Sequence, residues 1–298
     1  MAPPVIHPNW ARPPATMVDG ASLEITAKDV GALRAAAPGI APATPIAITF
    51  LPGEDFAARV AATAAVRDLG FEPMPHFSAR RIGSTAEFED YLAAVVADAG
   101  VRRCFVIAGD RSEPEGPYAD SSALIASGAF ESNGIAAIGI GGHPEGHPNM
   151  TAAQCQQVLH AKCADISRRG MAPLIVTQFA FDAAPVLDWL LALRRDGIDA
   201  PVRLGVPGPA SIRTLLRFAA RCGVGASATI LSKYGISLGK LLGSAGPDRL
   251  VDTLASGLTP AHGAVRLHFY PFGGLDPTVA WINRYAAAHS RERPGGDQ

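Results

Sequence analysis

The sequence predicts an α/β protein, a single (β/α)8 TIM barrel with extra helices before strand eight. Three observations carry that expectation. Eight short apolar runs recur along the 298 residues. Longer segments with apolar residues at three- and four-residue spacing separate them, which is the helical period. Polar side chains capable of chemistry gather at or just past the C-terminal ends of the runs: Glu24, Thr49, His76, Asp110, His147, Gln178 and Tyr270. Alternating strands and helices predict a parallel sheet. Eight repeats predict closure, and a closed barrel builds its active site where the strand C-termini converge.

Each element has its own reason. Run 22–26 (SLEIT) alternates, so Glu24 faces opposite to Leu23 and Ile25. Run 45–50 (PIAITF) ends near Thr49, and the helical stretch 55–69 then closes at Gly70, a C-cap residue. Run 73–78 (PMPHFS) delivers His76 and is followed by helix 85–99 and Gly100. Run 102–110 (RRCFVIAGD) ends on Asp110, and run 136–144 (AAIGIGGHP) leads to His143 and His147. Helix 151–169 stops at Gly170, and run 172–179 (APLIVTQF) carries Gln178. Helix 183–196, with apolar residues at 186, 187, 190 and 191, stops at Gly197. Run 201–206 (PVRLGV) precedes helix 209–221, and run 265–271 (VRLHFYP) carries Tyr270. Residues 223–263 break the rhythm and must hold more than one helix, weakened by Gly235, Gly239 and Gly243. Proline-rich residues 1–20 read as a loose arm, 21–290 as the barrel and 291–298 as a tail.

Composition narrows the function classes. The formal net charge is −1, without the basic excess that nucleic acid or an anionic membrane requires. Charged residues make up 18% against 48% hydrophobic, a balance compatible with a homo-oligomer. Cys104, Cys155, Cys163 and Cys222 form no Cys-x-x-Cys pair and read as buried free thiols of a reducing compartment. The opening MAPPVIHPNWARPP lacks the basic and apolar regions of a signal peptide. No stretch approaches the roughly 18 apolar residues of a membrane span. A cytoplasmic location is the expectation.

The candidate site residues admit specific chemistry. A lumen-facing carboxylate at Glu24 suits a general acid, and the alternative is a strand-end glutamate paired with a surface lysine. Asp110 is either a turn residue after Gly109 or a carboxylate that stabilises a cation. His143 and His147 have the i, i+4 spacing of metal ligands, but Pro144 and Gly146 disfavour the helix that spacing needs. No metal is expected, and these histidines read better as hydrogen-bond donors to an anionic or heteroaromatic ligand. Gly141 and Gly142 allow such a ligand close to the backbone. The Gln178 amide offers a donor and an acceptor, as a pterin or flavin edge requires, unless backbone at the rim satisfies it. Neither a Gly-x-Gly-x-x-Gly after a strand, a Walker loop nor a Gly-x-Ser-x-Gly elbow occurs.

Together SLEIT, PIAITF, PHFSAR, AGD with GPYAD, GGHPEGHP, VTQFAFD, LRFAARCGV and LHFY resemble the methylenetetrahydrofolate reductase family, in its order and over residues 20–285. The resemblance implies a barrel that reduces 5,10-methylenetetrahydrofolate to 5-methyltetrahydrofolate by hydride transfer from reduced FAD. NADH or NADPH reduces the FAD, and if nicotinamide and folate use the same flavin face in turn the kinetics are ping-pong. It implies Glu24 as the acid that opens the folate ring and Asp110 as the carboxylate favouring the cation. Gln178, Phe181 and Tyr270 fall at folate-binding positions. Thr49, His76, Ala108, Gly109, Asp110, Tyr118, Ala119, His143 and His147 fall at flavin-binding positions.

The chain departs from the family pattern in several places. Ala108 stands where an arginine is frequent. In ADISRRG, Ile166 stands near an expected lysine, with Lys162 a turn earlier and Arg168 and Arg169 after it. Ile212 replaces a phenylalanine, and Gly273-Gly274 replaces an Asn-Arg pair. Two alternatives therefore stand beside the main expectation: a flavin-independent NAD(P)H-dependent reductase, and a non-catalytic folate- or flavin-binding barrel.

Overall fold

The computed structural model describes Trp10, residues 14–222 and residues 244–290. Eight strands form one closed parallel barrel: β1 (Ser22–Ile25), β2 (Pro45–Ile48), β3 (Glu72–Ser78), β4 (Arg103–Ile107), β5 (Ala137–Gly142), β6 (Ala172–Phe179), β7 (Val202–Pro207) and β8 (Val265–Tyr270). Each strand pairs with its sequence neighbours, and β8 closes on β1 through Ser22↔His268. The single (β/α)8 barrel read from the sequence is the observed architecture.

Strand alternation divides the side chains into two cores. Leu23, Ile25, Ile46, Ile48, Phe77, Val106, Ile138, Leu204 and Phe269 lie in the large core between strands and helices. Ala47, Met74, Phe105, Leu174 and Val176 form a smaller lumen cluster, joined by Ile107 and Trp10. The lumen is thus filled at mid-height by apolar side chains, as expected of a packed barrel.

Local signals fix the helices. Asp55, Ser84, Thr151 and Asp182 cap the helices Phe56–Asp68, Thr85–Ala99, Ala152–Arg168 and Ala183–Arg195 by accepting a backbone N–H in the first turn. Gly100 ends Thr85–Ala99 at φ 56°, the left-handed conformation glycine adopts without strain. Further helices over Val30–Ala36 and Leu275–His289 complete the outer layer. None of the described helices is long and apolar enough to cross a membrane.

Several boundaries differ from the sequence reading. β4 stops at Ile107, not at Asp110, because Gly109 turns the chain at φ 94°. The β4–β5 connection holds two short helices, Ser121–Ile125 and Ala129–Ser132, with too few residues to display a period. The helix placed at 209–221 is Ile212–Cys222, preceded by Ala210–Ser211 paired antiparallel with Ser244–Ala245. Of the extra helical region before β8, helix Asp248–Gly257 and the turn Pro260–His262 are described, and 223–243 lies outside the described residues. Within the expected arm, Thr16 and Val18 are buried, and Asp19 accepts N–H bonds from Ala15 and Thr16. Cys104 is buried, whereas Cys155 and Cys163 are only half-buried. The Cys222 side chain and the tail lie outside the described residues.

Candidate active site

The register of β1 with its two neighbours builds the centre of the site. Leu23 and Ile25 enter the outer core, which turns Ser22 and Glu24 into the lumen. Ser22 pairs with His268 on β8, and Glu24 with Ala47 on β2. Ala47 carries only a methyl, so the lumen stays open between Glu24 and β3. His76 of β3 reaches across that gap, its Nε2 3.5 Å from Glu24 Oε2. His268 approaches from the other side, its Nε2 3.5 Å from the same oxygen. One carboxylate oxygen is therefore flanked by two imidazoles.

The two histidines differ in support. His268 is fully buried, and its Nδ1 lies 2.8 Å from Ser22 Oγ. In the tautomer with hydrogen on Nε2, Ser22 donates to Nδ1 and the imidazole N–H faces Glu24. His76 packs its ring edge-on against Phe105, with centroids 4.6 Å apart. Burial lowers its pKa to about 4, against an upward pull from Glu24 and a further downward push from His268. His76 is neutral at physiological pH.

Aromatic side chains continue from this centre towards the rim. The Tyr270 ring meets His268 edge-on at 4.9 Å and stacks on Phe272 at 5.7 Å, and Phe272 stacks on Phe218 at 4.0 Å. The Tyr270 hydroxyl donates to the Thr177 carbonyl at 2.9 Å, tying β8 to β6. There the β6–β7 register slips between Val176 and Phe179. The Thr177 hydroxyl bridges the slip, accepting from Gly205 N at 2.8 Å and donating to the Gln178 carbonyl at 2.8 Å. A bulge of this kind re-aims the following side chain. The half-buried Gln178 amide makes no hydrogen bond among the described residues.

A model of the methylenetetrahydrofolate reductase family matches residues 43–273, most of the barrel. The chain belongs to the methylenetetrahydrofolate reductase family. Among solved structures, an uncharacterized protein from Clostridium thermocellum that binds two copies of 5-methyl-5,6,7,8-tetrahydrofolic acid is similar at a TM-score of 0.59 and 12% identity, over 93% of this chain and 95% of that one. At that identity the likeness speaks for the fold alone.

Read as a methylenetetrahydrofolate reductase, the chain gathers only some of its expected site residues at Glu24. His76 touches Glu24 directly, and Tyr270 touches His268. Thr49 follows β2, with its N–H on the Ile25 carbonyl and its hydroxyl buried without a partner. The Asp110 side chain is 62% exposed and accepts from Arg81 Nε at 2.8 Å and Nη2 at 2.5 Å. Phe181 is fully buried and packs edge-on against Phe179. Tyr118 packs on Phe88 in the outer core and donates to Thr85 Oγ1 at 3.5 Å. The Ala119 carbonyl accepts from Arg80 Nε at 2.7 Å, and the Ala108 carbonyl accepts the Arg80 N–H. His143 and His147 meet edge-on at 4.8 Å, and burial pushes His143 down to about 4.

The sequence reading missed His268 and Ser22. The signal was present, because alternation in VRLHFY puts His268 on the face of Tyr270, and alternation in SLEIT puts Ser22 on the face of Glu24. Lys162 was noted only as a displaced cation. It is half-buried, and its charge reaches His143, His147 and Asp120.

The residues present fit a flavin dinucleotide in a limited way. Thr49 Oγ1 and His76 Nε2 are buried polar atoms that make no hydrogen bond among the described residues, and such atoms are rare unless a ligand or water satisfies them. Lys162 with His143 and His147 offers cationic and donor groups for phosphate. The side chain of Tyr118 and the carbonyl of Ala119 are engaged by the protein itself.

Proposed function

We propose that this barrel reduces 5,10-methylenetetrahydrofolate to 5-methyltetrahydrofolate, with FAD as hydride donor and NADH or NADPH as its reductant. The observation that carries this reading is the Glu24 carboxylate held between His76 and His268 inside the strand C-terminal mouth. When bound, the flavin supplies a two-electron hydride relay from nicotinamide to folate. Glu24 gives a proton to the nitrogen that leaves when the imidazolidine ring opens, and the folate carbon becomes an iminium. The hydride then adds to that carbon and completes the methyl group. A neutral His76 and the buried His268 flank Glu24 and keep it in position. Ser22 orients His268 through Nδ1.

The remaining residues bind and orient. The Gln178 amide suits the donor–acceptor edge of a pterin. Tyr270, Phe272 and Phe218 offer a flat wall for the ring system of the folate. Thr49 and His76 would hold the flavin, and Lys162, His143 and His147 would hold its phosphates. Asp110 acts from the rim with Arg81 beside it, favouring the cationic folate. The folate bound by the fold-related clostridial protein is consistent with this ligand class.

The decisive experiment is Glu24→Gln with the two half-reactions measured separately. Methyltetrahydrofolate formation falls by at least about 100-fold, the scale of general acid catalysis, while NAD(P)H still reduces the flavin. Unchanged methyltetrahydrofolate formation rules the mechanism out. A second reading, direct hydride transfer from nicotinamide to folate, is favoured by the engagement of Tyr118 and Ala119 within the protein. A colourless purified protein that turns over supports that reading, and a yellow protein whose colour bleaches with NAD(P)H supports the first.

A further inference from the structure

The connection that follows β4 is held by a turn at the end of β3. β3 ends at Ser78, and the 3-10 turn Ala79–Arg81 comes straight after it. Arg80 in that turn meets the segment 108–119 at four places. Its N–H donates to the Ala108 carbonyl at 2.9 Å, and its carbonyl accepts the Glu115 N–H at 2.9 Å. Its guanidinium donates from Nη1 to the Arg111 carbonyl at 3.0 Å and from Nε to the Ala119 carbonyl at 2.7 Å.

These bonds bracket Gly109 and Asp110. Ala108 precedes the pair, Arg111 follows it, and Arg80 holds the carbonyl of each. Gly109 lies flat on the end of β3, with φ 94°, where a Cβ would collide with Ser78 Oγ. Gly116 makes a second close approach, since a Cβ there would run into the carbonyls of Ile82 and Gly83. Arg81 turns its own guanidinium to the Asp110 carboxylate. The turn thus fixes Asp110 through the backbone by Arg80 and through the side chain by Arg81. Residues 108–120 form neither helix nor strand, so the bonds from other elements shape them. A planar guanidinium presents its donors in a fixed fork and can hold two carbonyls at a set separation, which an ammonium cannot.

We propose that Arg80 is a positioning residue for folate reduction: its guanidinium, spanning the Arg111 and Ala119 carbonyls, fixes the loop that carries Asp110 beyond the C-terminal end of β4. Arg80 acts through Asp110 and not on the ligand. This role rests on Asp110 favouring the cationic folate, as proposed for the reaction.

The test combines Arg80→Met, Arg80→Lys and Asp110→Asn in the full-length protein. Arg80→Met slows methyltetrahydrofolate formation by about tenfold, as Asp110→Asn does, and the double variant is no slower, because both changes remove one effect. Flavin reduction by NAD(P)H changes less. Arg80→Lys keeps the charge without the fork and recovers only part of the rate. Trypsin gives a readout without turnover: the Arg111–Ser112 bond is cut at least about tenfold faster in Arg80→Met than in the unaltered protein, because the loop opens more often. Should Arg80→Met not fold, Arg80→Lys decides on the same readouts, with a smaller loss of rate and a smaller gain in cutting. A loss of about 100-fold in the double variant, full recovery in Arg80→Lys, or a cut after Arg111 no faster than in the unaltered protein overturns the proposal. An unaltered protein that makes no methyltetrahydrofolate overturns the proposed reaction instead, and the tryptic cut still decides whether Arg80 fixes the loop.

Discussion

His268 and Glu24 face each other across the seam that closes the barrel, with Nε2 3.5 Å from Oε2. They are 244 residues apart in number but adjacent in space, because β8 pairs with β1 through Ser22↔His268. The hydroxyl of Ser22 fixes the far side of the imidazole. Any loosening of the seam therefore reaches the acid.

Ser22→Ala tests that support. Removing the hydroxyl frees the His268 tautomer and lets the ring drift from Glu24. Folate reduction slows by about tenfold or more, in line with the loss of a group orienting a buried histidine. The pH profile of the folate half-reaction shifts, while flavin reduction by NAD(P)H does not. Ser22→Thr, which restores the hydroxyl, recovers most of the rate. Stopped-flow measurement of both half-reactions checks this.

His76 makes stability pH-dependent. Its pKa falls from 6.5 to about 4 on folding, through burial. The unfolded chain therefore binds a proton between those values while the folded protein does not, and stability is lost as pH falls through that window. The loss is on the order of 3 kcal/mol. Chemical denaturation of His76→Asn across pH 4 to 7 gives a flatter profile than the unaltered protein, apart from the other groups that titrate there.

Asp110→Asn separates the rim from the lumen. A carboxylate favouring cationic folate slows folate reduction more than flavin reduction when it is neutralised. The Arg81 pair already screens Asp110, so the effect is smaller than that of Glu24→Gln, at about tenfold. Equal slowing of both half-reactions contradicts the assigned role.

Gly205→Ala tests the slipped register beside Gln178. A Cβ at 205 would lie 2.5 Å from the Gln178 carbonyl oxygen and 2.7 Å from that of Thr177. Backbone atoms cannot give way cheaply, so stability falls by about 1–3 kcal/mol, the usual cost of overpacking. The slip re-forms with Gln178 displaced, and KM for folate rises more than that for nicotinamide. Urea unfolding and steady-state kinetics measure the two effects.

The barrel was legible because its strands are short apolar runs ended by glycine-capped helices, and because Leu23 and Ile25 leave one orientation for Glu24. His76 and Tyr270 could be placed at the mouth on the same ground. Asp110 reads as the last residue of a strand because CFVIAGD looks like one continuous run, whereas β4 stops at Ile107. The turn at Gly109 and the pull of Arg81 become visible only when β3 and β4 lie side by side. His268 was overlooked because its partners, Ser22 and Glu24, are at the other end of the chain.

The apolar layer at mid-lumen has a consequence for isotope exchange. Met74, Phe105 and Leu174 offer hydrons no polar relay, so among the described residues the mouth is the route by which the Glu24 carboxyl exchanges with bulk solvent. Under the proposed mechanism, a folate covering that opening would receive the hydron already stored there, fixed by the solvent met before the ligand arrived.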